Sequence, residues 1–142
     1  MSNIEESIKK DGVAMATTDG DSMYPMLITG DIAVVKKAEF PLKVSDVPVY
    51  HRDDHITMHR IVNIKNGRYI ICGDNRIRFE RDITEDKIIG VLSGFYHNGK
   101  FVSVEDSAYL EYCVALEKKY KMRAMRDFVI RVLSKIKRMI KC

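Results

Sequence analysis

Gly20-Asp21-Ser22-Met23-Tyr24-Pro25-Met26-Leu27, closed by Gly30-Asp31, is the stretch that decides how this chain is read. It sets a serine in a tight Gly/Asp-rich turn and braces it with Met23 and Pro25. An apolar run, residues 32–35, starts directly afterwards. Two further pieces follow in order, Met58-His59-Arg60-Ile61-Val62 and then Cys72-Gly73-Asp74-Asn75-Arg76. A hydroxyl, an imidazole and carboxylates, each beside an apolar strand, are the parts needed for nucleophilic attack on a carbonyl. Each part alone has a plainer use. A serine after Gly-Asp commonly caps a turn, and a strand histidine commonly bonds a backbone carbonyl. The ordered set carries the signal.

The surrounding pattern is β. Short apolar or alternating runs at 32–35, 47–50, 57–64, 69–72, 88–95 and 101–104 are separated by turn signals. Asn66-Gly67 and Asn98-Gly99 predict two-residue hairpins, because both central positions tolerate positive φ. Strands at this density predict a coiled β-sheet or a small barrel. Within 57–64, period-two alternation places His59, Ile61 and Asn63 on one face and Met58, Arg60, Val62 and Ile64 on the other. His59 and Arg60 therefore have different jobs. From Ser107 the period changes. Met125, Phe128, Val129, Val132, Leu133, Ile136, Met139 and Ile140 follow helical spacing. With no Gly or Pro after Gly99, the end of the chain reads as one long helix or two abutting ones. The expected organisation is a polar arm at 1–12, a β domain at 13–106 and a basic amphipathic helical region at 107–142.

The chain has 142 residues, 31% charged and 46% hydrophobic, which suits one globular domain with one sizeable core. The net charge of +4 is unevenly placed, since residues 107–142 hold ten Lys/Arg against three acids. No apolar run approaches the roughly 18–20 residues that span a bilayer. Residues 1–12 are polar and lack a signal-peptide pattern. Cys72, Cys113 and Cys142 show no CxxC spacing and cannot all pair, which favours a reduced, cytoplasmic setting, and Cys142 forms no prenylation box. Cys72 reads as core. His51, His55 and His59 recur every four residues, but Arg52-Asp53-Asp54 reads as a turn that scatters the imidazoles, so no metal is expected.

In these motifs the chain resembles the serine-peptidase superfamily that unites type I signal peptidases with self-cleaving LexA-type repressors. The nucleophile motif of that superfamily, Ser-Met-x-Pro followed by Gly-Asp, is matched by Ser22, Met23, Pro25, Gly30 and Asp31. Its general base lies downstream, just before an Arg that opens an apolar stretch. That position holds His59, as in endoplasmic-reticulum, archaeal and sporulation-type signal peptidases, where bacterial relatives carry Lys. The Gly-Asp-Asn box is Gly73-Asp74-Asn75. The resemblance covers roughly residues 13–95 and implies Ser22 as nucleophile and His59 as base. Asp74 and Asp82 compete for the acid that orients the imidazole, with Glu80 also in range. In bacterial relatives the box aspartate pairs with a nearby arginine, for which Arg76 is available. The Ser22 N–H is the expected oxyanion donor, and with Gly20 two residues earlier the second donor has to be another group.

The resemblance thus implies a mainly β, LexA/signal-peptidase-like fold and a serine endopeptidase that removes a leader or signal-like segment from a precursor. No cofactor is implied. The substrate is a polypeptide bound extended, with small side chains flanking the scissile bond, and no nucleic acid is expected. Two other readings stay open: a LexA-like module that cleaves itself or a partner, and a non-catalytic peptide-binding module on the same fold. The stripe at 125–140 has to be covered, by the core, by a second copy in a homodimer, by a partner protein, or by the inner membrane surface.

Overall fold

The computed structural model describes residues 3–141, so Cys142 lies outside the described residues. A short helix, α1 (Asn3–Asp11), leads into nine strands: β1 (Val13–Thr17), β2 (Ile32–Lys36), β3 (Pro48–Arg52), β4 (His55–Met58), β5 (Arg60–Lys65), β6 (Arg68–Cys72), β7 (Glu80–Ile83), β8 (Ile88–His97) and β9 (Lys100–Ser103). A 34-residue helix, α2 (Ser107–Ile140), follows. In α1, Glu5 and Glu6 in the first turn and Lys9 and Lys10 in the last suit the helix dipole. Ile8 is buried, and Gly12 ends the helix at φ +75.

The strands form two antiparallel sheets. In the first the order is β1-β2-β8-β3-β4, with β9 paired to β8; the second is β5-β6-β7. Among the described residues neither closes into a barrel, so the coiled-sheet form of the expected fold is the one realised. Asn66-Gly67 and Asn98-Gly99 turn the β5–β6 and β8–β9 hairpins with all four residues at positive φ, as their sequence predicts.

The run at 57–64 is two strands, not one. β4 ends at Met58 in the first sheet, β5 begins at Arg60 in the second, and His59 is the residue at which the chain changes sheets. The expected alternation fails beyond Ile61. His59 and Ile61 are buried but Asn63 is exposed, because a bulge interrupts the β5–β6 register between Ile61 and Asn63.

Leu42, Tyr50, Ile61, Tyr69, Ile71 and Val91 join residues of both sheets in one core. A second cluster gathers Ile8, Val35, Leu92 and Phe95 with Tyr109 and Cys113 of α2. The buried residues of α2 are Tyr109, Cys113, Leu116 and Tyr120, a single stripe at helical spacing. That stripe stops there. Beyond Arg123 no residue of α2 is buried, so the apolar face at 125–140 is left uncovered by the other described residues and does not join the core. Among the described residues, no helix is long and apolar enough to cross a membrane.

Candidate active site

Ser22 sits in the loop between β1 and β2, which Met23 and Leu27 anchor by burying their side chains. Gly30 closes the loop at φ +95, a conformation a Cβ would strain. The buried Asp31 accepts from the Ile28 N–H at 3.0 Å and contacts His97 Nδ1 at 2.8 Å. The residues after β6 pin the serine from the other side. Asn75 N–H donates to the Ser22 carbonyl at 2.9 Å, Asn75 Nδ2 donates to the Asp21 carbonyl at 3.1 Å, and Arg76 pairs with the Asp21 carboxylate at 2.6 Å. Those bonds hold backbone and neighbours only. Among the described residues the Ser22 hydroxyl has no hydrogen-bond partner.

His59 is buried at the seam of the two sheets, and each sheet supplies one group to its Nδ1 side. Nδ1 donates to Glu80 Oε1 at 2.9 Å from β7. The same oxygen accepts the Tyr50 hydroxyl proton, also at 2.9 Å, from β3. Burial, then Glu80, raise the Tyr50 pKa far enough that the phenol stays protonated and can only donate to the carboxylate. A carboxylate on Nδ1 fixes the tautomer, leaving Nε2 with its lone pair free. Burial lowers the His59 pKa below the ordinary imidazole value and outweighs Glu80, which raises it. The ring is therefore neutral around pH 7.

Gly73 separates serine from histidine. A Cβ there would lie 2.7 Å from the Ser22 carbonyl oxygen and 3.2 Å from His59 Cδ2, the ring carbon beside Nε2. Only a residue without a side chain lets the Ser22 backbone and that ring edge share the space.

Asp74 and Asp82 lie elsewhere. Asp74 is buried and accepts two bonds of 2.8 Å from Arg60, whose side chain is also buried, and a third of 3.0 Å from the Tyr112 hydroxyl. Its arginine partner is Arg60, not the expected Arg76. Burial would lower the Arg60 pKa, but Asp74 outweighs it and holds the guanidinium charged. The remaining Arg60 donors reach the Ser45 carbonyl, the Tyr109 hydroxyl, Cys113 Sγ and Met26 Sδ. The pair thus ties the serine loop, the second sheet and α2 together. Asp82 has a 75% exposed side chain at a φ of +62 and faces Arg68 at 3.8 Å. The carboxylate on His59 belongs to Glu80.

A cleft of about 180 Å³ runs from Ser22 between β1 and β4, lined by Ala16, Thr18, Gly20, Ile56 and Met58 among others. Among the described residues β1 pairs only with β2 and β4 only with β3, so each has an unpaired edge. His51 is bonded to Glu5 at the surface, far in role from His59. Among the described residues, no group of three His, Cys, Asp or Glu is placed to hold a metal.

The profile of the family described as Peptidase S24-like matches residues 2–93, about two thirds of the chain. The chain belongs to the Peptidase S24-like family. No significant match was found among curated proteins. The matched span contains Ser22, His59, Gly73 and Glu80, and stops within β8, so α2 is outside it. The family places the chain in the LexA/signal-peptidase-like serine-peptidase superfamily.

Tyr50 and the buried Arg60 gave no sign of their roles in the sequence. Glu80 left a trace. In Phe79-Glu80-Arg81, alternation puts Phe79 on the face that packs Tyr120 and sends Glu80 the other way. Asp82 would share that face in a regular strand, but the β6–β7 register shifts between Tyr69 and Ile71, and positive φ at Asp82 turns it outward.

Proposed function

We propose that this chain is a serine endopeptidase whose nucleophile is Ser22, whose general base is His59 and whose orienting acid is Glu80. The observation that carries the proposal is the 2.9 Å bond from His59 Nδ1 to Glu80 Oε1, which readies Nε2 for a proton. In this scheme Ser22 Oγ attacks the scissile carbonyl and gives its proton to His59 Nε2. The new imidazolium is stabilised by Glu80 and then protonates the leaving amine as the C–N bond breaks. Water repeats the sequence on the acyl-enzyme and releases the acid. The Ser22 N–H, which has no other partner among the described residues, is the oxyanion donor.

An extended polypeptide suits the cleft, because the free edges of β1 and β4 supply main-chain partners along it. Its modest volume favours small side chains beside the scissile bond, as in removal of a leader segment from a precursor. Incubating a defined peptide library with wild type and with Ser22→Ala, and reading new termini by mass spectrometry, tests this. Cleavage should be lost in the variant, by about 10⁴–10⁶ in turnover. Equal products from both proteins would sink the proposal. Appearance of wild-type fragments of the chain itself, absent in the variant, would mark the self-cleaving alternative.

A further inference from the structure

Seventeen residues of α2, 124–140, extend past the last contact with the core, a helix of roughly 25 Å. An exposed apolar face of that length marks a surface that binds something. Its faces are sharply divided. At 3.6 residues per turn, Phe128, Met139, Val132, Met125, Ile136 and Val129 fall within an arc of about 100°. Met139 is 75% exposed and Ile140, at one margin of the arc, 78%. The opposite face carries Arg123, Arg131, Arg138 and Lys141, and Arg126, Lys135 and Lys137 border the apolar arc. Residues 122–141 thus hold seven basic side chains against the single acid Asp127.

We infer that this half of α2 lies in the interface of an anionic lipid bilayer, its apolar arc among the acyl chains and its bordering Lys and Arg at the headgroups. Charge decides between occupants. Met122, Met125, Val129, Val132, Ile136 and Met139 also have the 3-4 spacing of a coiled-coil seam. The positions flanking that seam are Arg126, Leu133, Phe128, Lys135 and Ile140, with no acid to pair the bases. A second copy would offer no acid there to Arg126 or Lys135. The apolar arc, reaching about 140° when Leu133 and Ile140 are included, is also wider than a two-helix seam covers. A nucleic acid would answer the charge but leave the arc in water. An anionic bilayer answers both.

The test is co-sedimentation of the full chain with phosphatidylcholine vesicles, with and without phosphatidylglycerol, at low and high salt. Binding should require phosphatidylglycerol and weaken with salt. A basic residue near an anionic surface contributes about fivefold to partitioning, so Lys135→Glu with Lys137→Glu should weaken binding at least 25-fold. Val132→Asp with Ile136→Asp should abolish it with an unchanged melting temperature, because both residues are exposed. Failure to sediment with anionic vesicles would overturn the inference. So would equal binding to neutral ones, or a dimer in sedimentation equilibrium that the double aspartate variant dissociates.

Discussion

At His59, burial favours the neutral ring and Glu80 favours the charged one, and burial prevails. The ring is therefore deprotonated across neutral pH. kcat/KM should rise with pH along an acid limb whose midpoint lies below the ordinary imidazole value of about 6.5. Stability follows the same direction. Between the folded and unfolded pKa the unfolded chain binds more protons, so the His59 contribution is complete above about pH 6.5 and is lost as pH falls through the folded value. Glu80→Gln removes the group that raises the pKa and frees the tautomer. The acid limb should move further down and the rate fall by about 10²–10⁴. Asp82→Asn, at an exposed residue paired with Arg68, should leave rate and profile within about twofold of wild type, since such surface changes are worth under about 0.5 kcal/mol. An Asp82→Asn enzyme as crippled as Glu80→Gln would return the orienting role to Asp82. Gly73→Ala probes the gap between Ser22 and His59. Its Cβ would meet backbone at 2.7 Å, so the Ser22 loop or the ring has to move. A displacement of about 1 Å is enough to cost on the order of 10²-fold in kcat/KM.

Among the elements, the segment after β6 does two separate things. Asn75 and Arg76 fasten the Ser22 loop, and Asp74 turns inward to Arg60. Asp74→Asn strands a buried guanidinium, which costs about 3–5 kcal/mol and should lower the melting temperature by on the order of 10 °C. Calorimetry of the variant reads this directly. A normal melting temperature combined with lost activity would instead put Asp74 in the chemistry. The hairpins, the long final helix and the order of serine, histidine and glycine box were legible because turn chemistry, periodicity and motif spacing are local. The sheet change at His59 was not, since an unbroken β-pattern runs through it and only the partners of Met58 and Arg60 distinguish two strands from one. Glu80 was obscured for the same reason. Local alternation gives its face, but its choice over Asp82 depends on a register shift between β6 and β7 that no local pattern encodes. Arg60 was legible as different from His59, but not as the hub that receives α2.

Over the whole molecule, the candidate site lies where two sheets meet, with the serine loop brought from one and Glu80 from the other. The first half of α2 closes the core behind it, and the second half leaves it. Ending the chain after Ala124 keeps Tyr109, Cys113, Leu116, Tyr120 and the bond from Arg123 to the Arg76 carbonyl. The shortened protein should melt within about 2 °C of the full chain, because the described residues removed, 125–141, are all exposed or half-exposed. A much larger loss would mean that the outer helix is covered in solution. The central claim is that Ser22 is a nucleophile activated by His59, and a peptide boronate with a small residue before the boron measures it most directly. Boron takes up the serine oxygen and reports a tetrahedral centre by boron NMR, without any need to know the natural substrate. Wild type should give that signal, with the protection mapped to Ser22, while Ser22→Ala gives none and His59→Ala binds far more weakly. A tetrahedral signal that survives in Ser22→Ala, or its absence from wild type at saturating boronate, would contradict the account.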